Sequence, residues 1–265
     1  MSEYIKYGQL ALVAGGSEGI GAAFANFLAN KGVNLVLVAR QIDKLEKITK
    51  EIEEKYQVSV TAISCDLSKL NAVEIIKEQL ADKQIDILVY NAAISYIGHF
   101  EDNSIEHHNQ IAHANMVTPL NMVQLFGSSM LKKGKGSIIL MSSLAGFQGS
   151  AFVSAYAATK AFNRVLAESL WYEWKERGLD VIACCAGATY SPNFIKTNPE
   201  KKAFFAPRYQ TPEEVVDECF KKLGKTPSFV VGKGNKVANF FMQRLLPRKK
   251  AVRIMGEATR KLYRL

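Results

Sequence analysis

Seven short runs of β-branched and apolar residues alternate with longer segments of helical periodicity, and this alternation restricts the fold more than any other feature of the chain. The runs Leu10 to Ala14, Asn34 to Arg40, Val58 to Cys65, Ile85 to Tyr90, Ser137 to Met141, Val181 to Cys185 and Phe229 to Val231 read as strands. Stretches such as LVLVAR, DILVY and SIILM are hydrophobic at nearly every position, so both faces of these strands must be covered. Helical periodicity marks Ile20 to Asn30, Lys44 to Lys55, Ala72 to Ala81, Ile105 to Leu131, Phe152 to Arg177 and Pro212 to Leu223. Strand and helix in alternation give βαβ units with right-handed crossovers, hence an α/β chain doubly wound around one seven-stranded parallel sheet. We expect residues 1 to 232 to form that unit as a single domain.

After Val231 the pattern changes. GKGNKVANFFMQRLL reads as an amphipathic helix that Pro247 interrupts before a second helical stretch from Arg248 to Leu262. The formal net charge of +9 is concentrated here: residues 233–265 hold 10 Lys or Arg against the single acid Glu257, and residues 1–232 balance 24 against 24. Three readings of this basic extension stay open. It is a solvated helix face, or it packs against a sister subunit or over a substrate pocket, or it meets an anionic membrane or an acidic carrier protein. No motif points to nucleic acid.

Cys65, Cys184, Cys185 and Cys219 include no CxxC pair, and three of them sit in or beside strand-like runs. They read as free thiols in a reducing compartment, and the expected location is cytoplasmic. The N-terminal residues lack the basic and apolar segments of a secretory leader, and no apolar run approaches the ~18 residues of a membrane span. His99, His107, His108 and His113 cluster without the i, i+4 spacing of a helical zinc site, so no metal is expected.

The first strand runs directly into Gly15-Gly16-Ser17-Glu18-Gly19-Ile20-Gly21 and a helix. Glycines at 15, 19 and 21 permit a tight turn, close approach to a pyrophosphate and close helix packing, and the helix N-terminus offers free amides to the phosphates. The second strand ends in Ala39-Arg40, where a dinucleotide fold inspects the adenosine ribose. An acid there would accept from the 2′-hydroxyl of NAD, whereas a guanidinium grips a 2′-phosphate, so NADP(H) is the expected cofactor. The other reading of Arg40 is a strand end at the solvent boundary. Glu18 argues mildly against the phosphate.

Tyr156 and Lys160 occur at the start of a long helix with a spacing that puts both on one face. An ammonium beside a phenol favours the phenolate and brings its pKa from ~10 toward neutrality, so the pair can exchange a proton with a carbonyl or alcohol. The fifth strand ends at Ser142-Ser143, the end of an α/β sheet where ligands sit, and the Ser143 hydroxyl can hold the substrate oxygen.

Over residues 8 to 232 the chain resembles the short-chain dehydrogenase/reductase family, in the branch with three residues between the first two loop glycines. The resemblance implies a Rossmann-type fold. It also implies a tetrad of Asn115, Ser143, Tyr156 and Lys160, in which Asn115 holds a water that refills the proton through Lys160. It further implies a cofactor site made from Gly15, Ser17, Glu18, Gly19, Ile20, Gly21, Arg40, Asp66, Leu67, Asn91, Ala92, Ala93, Tyr156, Lys160, Gly187, Ala188, Thr189 and Ser191. Ala14 departs from the usual threonine and so removes a hydroxyl that would tie the loop to Asn91. Ala93 replaces a usual glycine, Ala186-Gly187 a usual Pro-Gly, and Ser191 a usual threonine, which implies a looser loop over the nicotinamide. The aromatic segment Tyr190 to Phe205 lies where the family carries a mobile lid; it forms an apolar mouth or packs as core. The expected function is NADP(H)-dependent hydride transfer to or from a carbonyl or alcohol on an apolar ketone, aldehyde, 3-oxoacyl or steroid-like substrate, in a homodimer or homotetramer. The alternative is a dinucleotide-binding redox sensor or interaction module without turnover.

Overall fold

The computed structural model describes residues 7–200 and 207–265. Strands β1 (Leu10–Ala14), β2 (Asn34–Ala39), β3 (Val60–Ser64), β4 (Ile87–Tyr90), β5 (Gly136–Ser143), β6 (Leu179–Ala186) and β7 (Ser228–Val230) form one sheet in the order β3-β2-β1-β4-β5-β6-β7. Every neighbouring pair is parallel. Around it lie helices α1 (Gly19–Ala29), α2 (Ile42–Tyr56), α3 (Ala72–Leu80), α4 (Ile105–Ala112), α5 (Thr118–Lys133), α6 (Ser154–Lys175), α7 (Pro192–Lys196) and α8 (Pro212–Lys222), followed beyond β7 by α9 (Lys233–Phe240) and α10 (Arg248–Tyr263). The chain winds outward from β1 to β3, then returns to β4 on the other side of β1. That reversal opens a crevice at the carboxyl ends of β1 and β4.

The pleat explains why the strands are apolar throughout. Ala11 and Val13 of β1 pack in one cluster with Phe24, Leu28, Leu45 and Phe220, whereas Leu12 and Ala14 pack in the other with Ile76, Phe126 and Trp174. Helices α1, α2 and α8 thus cover one face, and α3, α5 and α6 the other.

Four departures from the sequence-based reading bear on the site. Strand β2 stops at Ala39, which leaves Arg40 just beyond it. The helix expected from Ile105 to Leu131 is α4 and α5 joined by a π-turn over His113–Val117. Phe152 cannot begin α6, because its φ of 65° is left-handed; the helix starts at Ser154. Helix α7 was not expected, although Ser191, which accepts from the Phe194 amide at 3.3 Å, and Pro192 at the first turn are a readable start signal. The expected aromatic segment extends over residues 201–206, which lie outside the described residues. In the basic extension, α9 continues through a π-turn over Phe241–Leu245 to Leu246, and α10 follows Pro247.

Candidate active site

The loop between β1 and α1 is shaped by two positions that admit no side chain. Gly15 has a φ of 79°, donates its amide to the Val38 carbonyl at 2.7 Å, and would bring a Cβ within 2.8 Å of the Ala92 nitrogen. A Cβ on Gly21 would lie 1.8 Å from the Gly15 carbonyl oxygen. The loop therefore lies flat on the end of β4, with α1 directly behind it. The absent threonine hydroxyl at Ala14 does not free the loop. Asn91 Nδ2 donates to the Gly15 carbonyl at 3.1 Å, and the Asn91 and Ala92 amides donate to the Ala14 carbonyl at 3.0 and 2.9 Å.

In front of the loop is a cleft of about 310 Å³. Gly15, Ser17, Glu18, Gly19 and Ile20 form one wall, Arg40, Asp66 and Leu67 the adenosine end expected from sequence, and Asn91, Ala92, Ala93 and Ser191 the opposite end. Burial works against ionisation of Asp66, but hydrogen bonds from the Ser68 amide and hydroxyl and the charges of Arg40 and Lys69 outweigh it and hold the carboxyl below its ordinary range. Lys44 lines the same end and was missed from sequence; its Nζ lies 2.7 Å from the Glu18 carboxylate. A base in the first turn of α2, facing an acid in the loop, is the signal that would have found it.

Six expected cofactor residues do not line this cleft, among them Tyr156 and Lys160, which stand at the end of β5 instead. Gly21 lies beneath Gly15. Gly187, Ala188 and Thr189 follow β6, where Thr189 is buried, donates to the Gly187 carbonyl at 3.1 Å and bridges to Gln210. Gly187 is covered by the basic extension, since a Cβ there would meet Asn235 Nδ2 at 2.6 Å.

Ser143, Tyr156 and Lys160, three of the four residues expected to form the tetrad, come together at the end of β5. Ser142 Oγ donates to the Lys160 carbonyl at 2.7 Å and so ties α6 to the strand, while Ser143 Oγ accepts from the Ala145 amide at 3.2 Å. The Tyr156 hydroxyl shares its surroundings with the Ser143 side chain, which lowers the phenol's pKa. Lys160 is buried, donates its Nζ to the Met141 carbonyl at 2.9 Å, and stands 5.6 Å from the centre of the Tyr156 ring. Burial lowers the Lys160 pKa to about 8. The expected downward pull of Lys160 on the tyrosine is not what governs here. Burial pushes the Tyr156 phenol up, the Ser143 side chain opposes it, and the nearby Tyr263 phenol adds to it.

Asn115 sits in the π-turn, fully buried. Its Oδ1 accepts from the Ile94 amide at 2.8 Å, and its Nδ2 donates to the Ile94 carbonyl at 2.8 Å and to Thr159 Oγ1 at 3.1 Å. Its carbonyl accepts from Asn163 Nδ2 at 3.0 Å. The side chain thus joins the loop after β4 to α6 through Thr159, and the backbone carbonyl is held to the same helix by Asn163.

The mouth is aromatic. Tyr209 meets Tyr190 and Phe194 edge-on at 5.0 Å each, and the pKa of the Tyr263 phenol of α10 is raised by burial and lowered by Thr197 beside it. Arg260 lies 5.3 Å from the Phe152 ring centre, and the Glu200 amide donates to the Leu262 carbonyl at 2.8 Å. Tyr263 and Phe152 were not expected in the site, because their proximity depends on how α10 folds back. The histidines are tied locally: His107 Nδ1 is 2.8 Å from Asn103 Oδ1 and His108 Nε2 is 3.1 Å from the Phe100 carbonyl. All four cysteines are free and buried, and among the described residues no helix is long and apolar enough to cross a membrane.

The chain is 31% identical over 232 residues to the 7beta-hydroxysteroid dehydrogenase of Clostridium sardiniense, covering 87% of this chain and 88% of that protein. A solved structure from work on 7beta-hydroxysteroid dehydrogenase stereoselectivity superposes with a TM-score of 0.91 at 30% identity, covering 96% of this chain and 99% of the other. A short-chain dehydrogenase from Sphingobium yanoikuyae in complex with NADPH gives a TM-score of 0.75 at 26% identity over 84% and 87% of the two chains. Residues 9–202 match the family described as short chain dehydrogenase. With its sequence and its fold both matched, this chain is an oxidoreductase that belongs to the short-chain dehydrogenase family.

Proposed function

We propose that the enzyme interconverts a ketone and a secondary alcohol on an apolar, steroid-sized substrate with NADP(H) as cofactor. The observation that carries this reading is the placement of Ser143 at the end of β5 and of Tyr156 and buried Lys160 one turn apart on α6, with the Lys160 Nζ 5.6 Å from the Tyr156 ring centre. The dinucleotide fits the residues present. A Cβ on Gly19 would approach Ser191 Cβ to 3.1 Å and fill the cradle between loop and α7, and the first amides of α1 face the same space. Arg40 and Lys44 at the far end suit a 2′-phosphate, as does the neighbouring complex with NADPH. The nicotinamide, when bound, supplies or accepts the hydride.

The chain's own residues handle the proton. Ser143 donates to the substrate oxygen and orients it, and Tyr156 delivers its phenolic proton to that oxygen during reduction. A phenol whose pKa is raised by burial keeps that proton at neutral pH, which suits an acid in the reductive direction. Lys160 is held beside the tyrosine by the Met141 carbonyl, and Asn115 fixes the helix that carries both. The aromatic mouth and the hydroxysteroid relatives support a steroid-like substrate. Exposed Leu120 on α5 and Val165 and Tyr172 on α6 support pairing of copies through the long helices, and buried free cysteines suit a reducing, cytoplasmic setting.

Tyr156→Phe tests the assignment. Reduction of a ketosteroid panel should fall by about 10²–10⁴, the range typical of a lost general acid, while NADPH still binds by fluorescence titration. Undiminished turnover would overturn the role of Tyr156. Binding of NADPH without turnover by the wild-type chain across the panel would instead favour a sensor.

A further inference from the structure

We propose that the basic extension docks the enzyme on an anionic lipid surface through the outer face of α9 and the π-turn that continues it. Val237, Phe240, Phe241 and Leu245 recur at helical spacing on that face, and each is more than half exposed. Phe240 and Phe241 stand edge-on to one another with ring centres 6.3 Å apart. The opposite side of the same segment is anchored: Asn235 is buried and donates to Gln210 Oε1 and to the Val231 carbonyl, both at 2.9 Å, and Gln243 donates to Gln148 Oε1 at 2.6 Å. The apolar face is therefore a fixed, outward-directed surface and not a frayed end.

Charge identifies the occupant. Arg244 in the same turn, and Lys249, Lys250 and Arg253 at the start of α10 that follows it, are exposed, in a segment with 10 basic residues and one acid. A second copy of this chain is a poor match, since a twofold contact would oppose two such segments, and residues 1–232 carry no acidic excess to receive one. Large apolar side chains followed by cations suit the boundary between headgroups and acyl chains of an anionic leaflet, where the phenyl rings enter and the amines meet phosphate and carboxylate.

The test is co-sedimentation of the full chain with phosphatidylcholine vesicles and with vesicles that also contain phosphatidylserine. The protein should pellet only with the anionic vesicles and should be released by high salt. Two exposed-surface variants separate the contributions, Phe240→Ala/Phe241→Ala/Leu245→Ala and Lys249→Glu/Lys250→Glu/Arg253→Glu. Each should lose binding, the charge variant by about a hundredfold or more, since a single base near such a leaflet contributes roughly fivefold. Both should keep NADPH binding, turnover of a water-soluble ketone and the wild-type circular dichroism spectrum, which separates lost docking from lost folding. Failure of the wild-type chain to pellet with anionic vesicles overturns the proposal, as does equal binding by both variants. Complex formation with polyglutamate but not with vesicles would replace lipid by an acidic protein. A dimer broken by the phenylalanine variant, without vesicle binding, would replace it by a second copy.

Discussion

Glu18 stands in the phosphate loop, where its carboxylate would repel an incoming 2′-phosphate if it were bare. Lys44 Nζ lies 2.7 Å away, and both side chains keep enough exposure, 40% for Lys44 and 25% for Glu18, that the pair adds little to stability. Its consequence is local charge: the acid is neutralised at the end of the cleft where Arg40 waits. Lys44→Ala should therefore weaken NADPH by about five- to tenfold, one uncompensated charge near the surface being worth about 1 kcal/mol, and leave NADH nearly unchanged. Glu18→Ala/Lys44→Ala should recover most of the loss. Parallel fluorescence titrations with both nucleotides check this, and an unaltered NADPH-to-NADH ratio in Lys44→Ala would dismiss the pairing as irrelevant to the cofactor. Arg40 was legible because its distance from the glycines is set by one βαβ unit. Lys44 was not, because its meaning comes from a through-space contact with Glu18.

The π-turn between α4 and α5 is where element-level reading gives way to tertiary packing. Helical periodicity runs unbroken from Ile105 to Leu131 in the sequence, and nothing in it marks a widened turn. The wider turn is matched by polar groups from elsewhere: the Tyr90 hydroxyl donates to the Ala114 carbonyl, and Asn163 Nδ2 donates to the Asn115 carbonyl. Tyr90 belongs to β4 and Asn163 to α6, so the turn is specified by residues distant in sequence. Tyr90→Phe leaves a buried carbonyl without that donor and should destabilise the protein by about 1–3 kcal/mol in urea unfolding. Amide exchange over residues 113–117 should quicken beyond what the global loss explains. Equal protection of that segment in both proteins, after correction for stability, would show that the π-turn is set by its own sequence. The strands, by contrast, were legible to within two residues at each end, because a strand buried on both faces must be apolar at every position. Phe152 escaped for the opposite reason, its left-handed backbone being invisible to periodicity.

At the scale of the whole molecule, the basic extension closes over the chemistry performed by the sheet. Helix α10 lies along the segment after β5: Arg248 Nη1 donates to the Phe147 carbonyl at 2.8 Å, a Cβ on Gly149 would touch Val252 at 3.6 Å, and one on Gly256 would stand 3.3 Å from Ala151 Cβ. The helix ends with Tyr263 near Tyr156, so residues at opposite ends of the fold share one electrostatic environment. Burial is the main reason the Tyr156 phenol is raised, and Tyr263 raises it further. Removing the Tyr263 side chain admits water and deletes the second phenol, and both changes favour the Tyr156 phenolate. Reduction needs Tyr156 protonated, so its rate falls as pH rises through the pKa of that group. In Tyr263→Ala the alkaline limb of the kcat profile should therefore move to lower pH, and KM for a bulky ketone should rise several-fold as the mouth loses a wall. Tyr263→Phe, which keeps the packing, should move the limb less and leave KM close to wild type. A limb that stays in place in Tyr263→Ala would mean that the tyrosine pKa is set entirely within the sheet domain, and that the extension shapes the substrate pocket without reaching the proton.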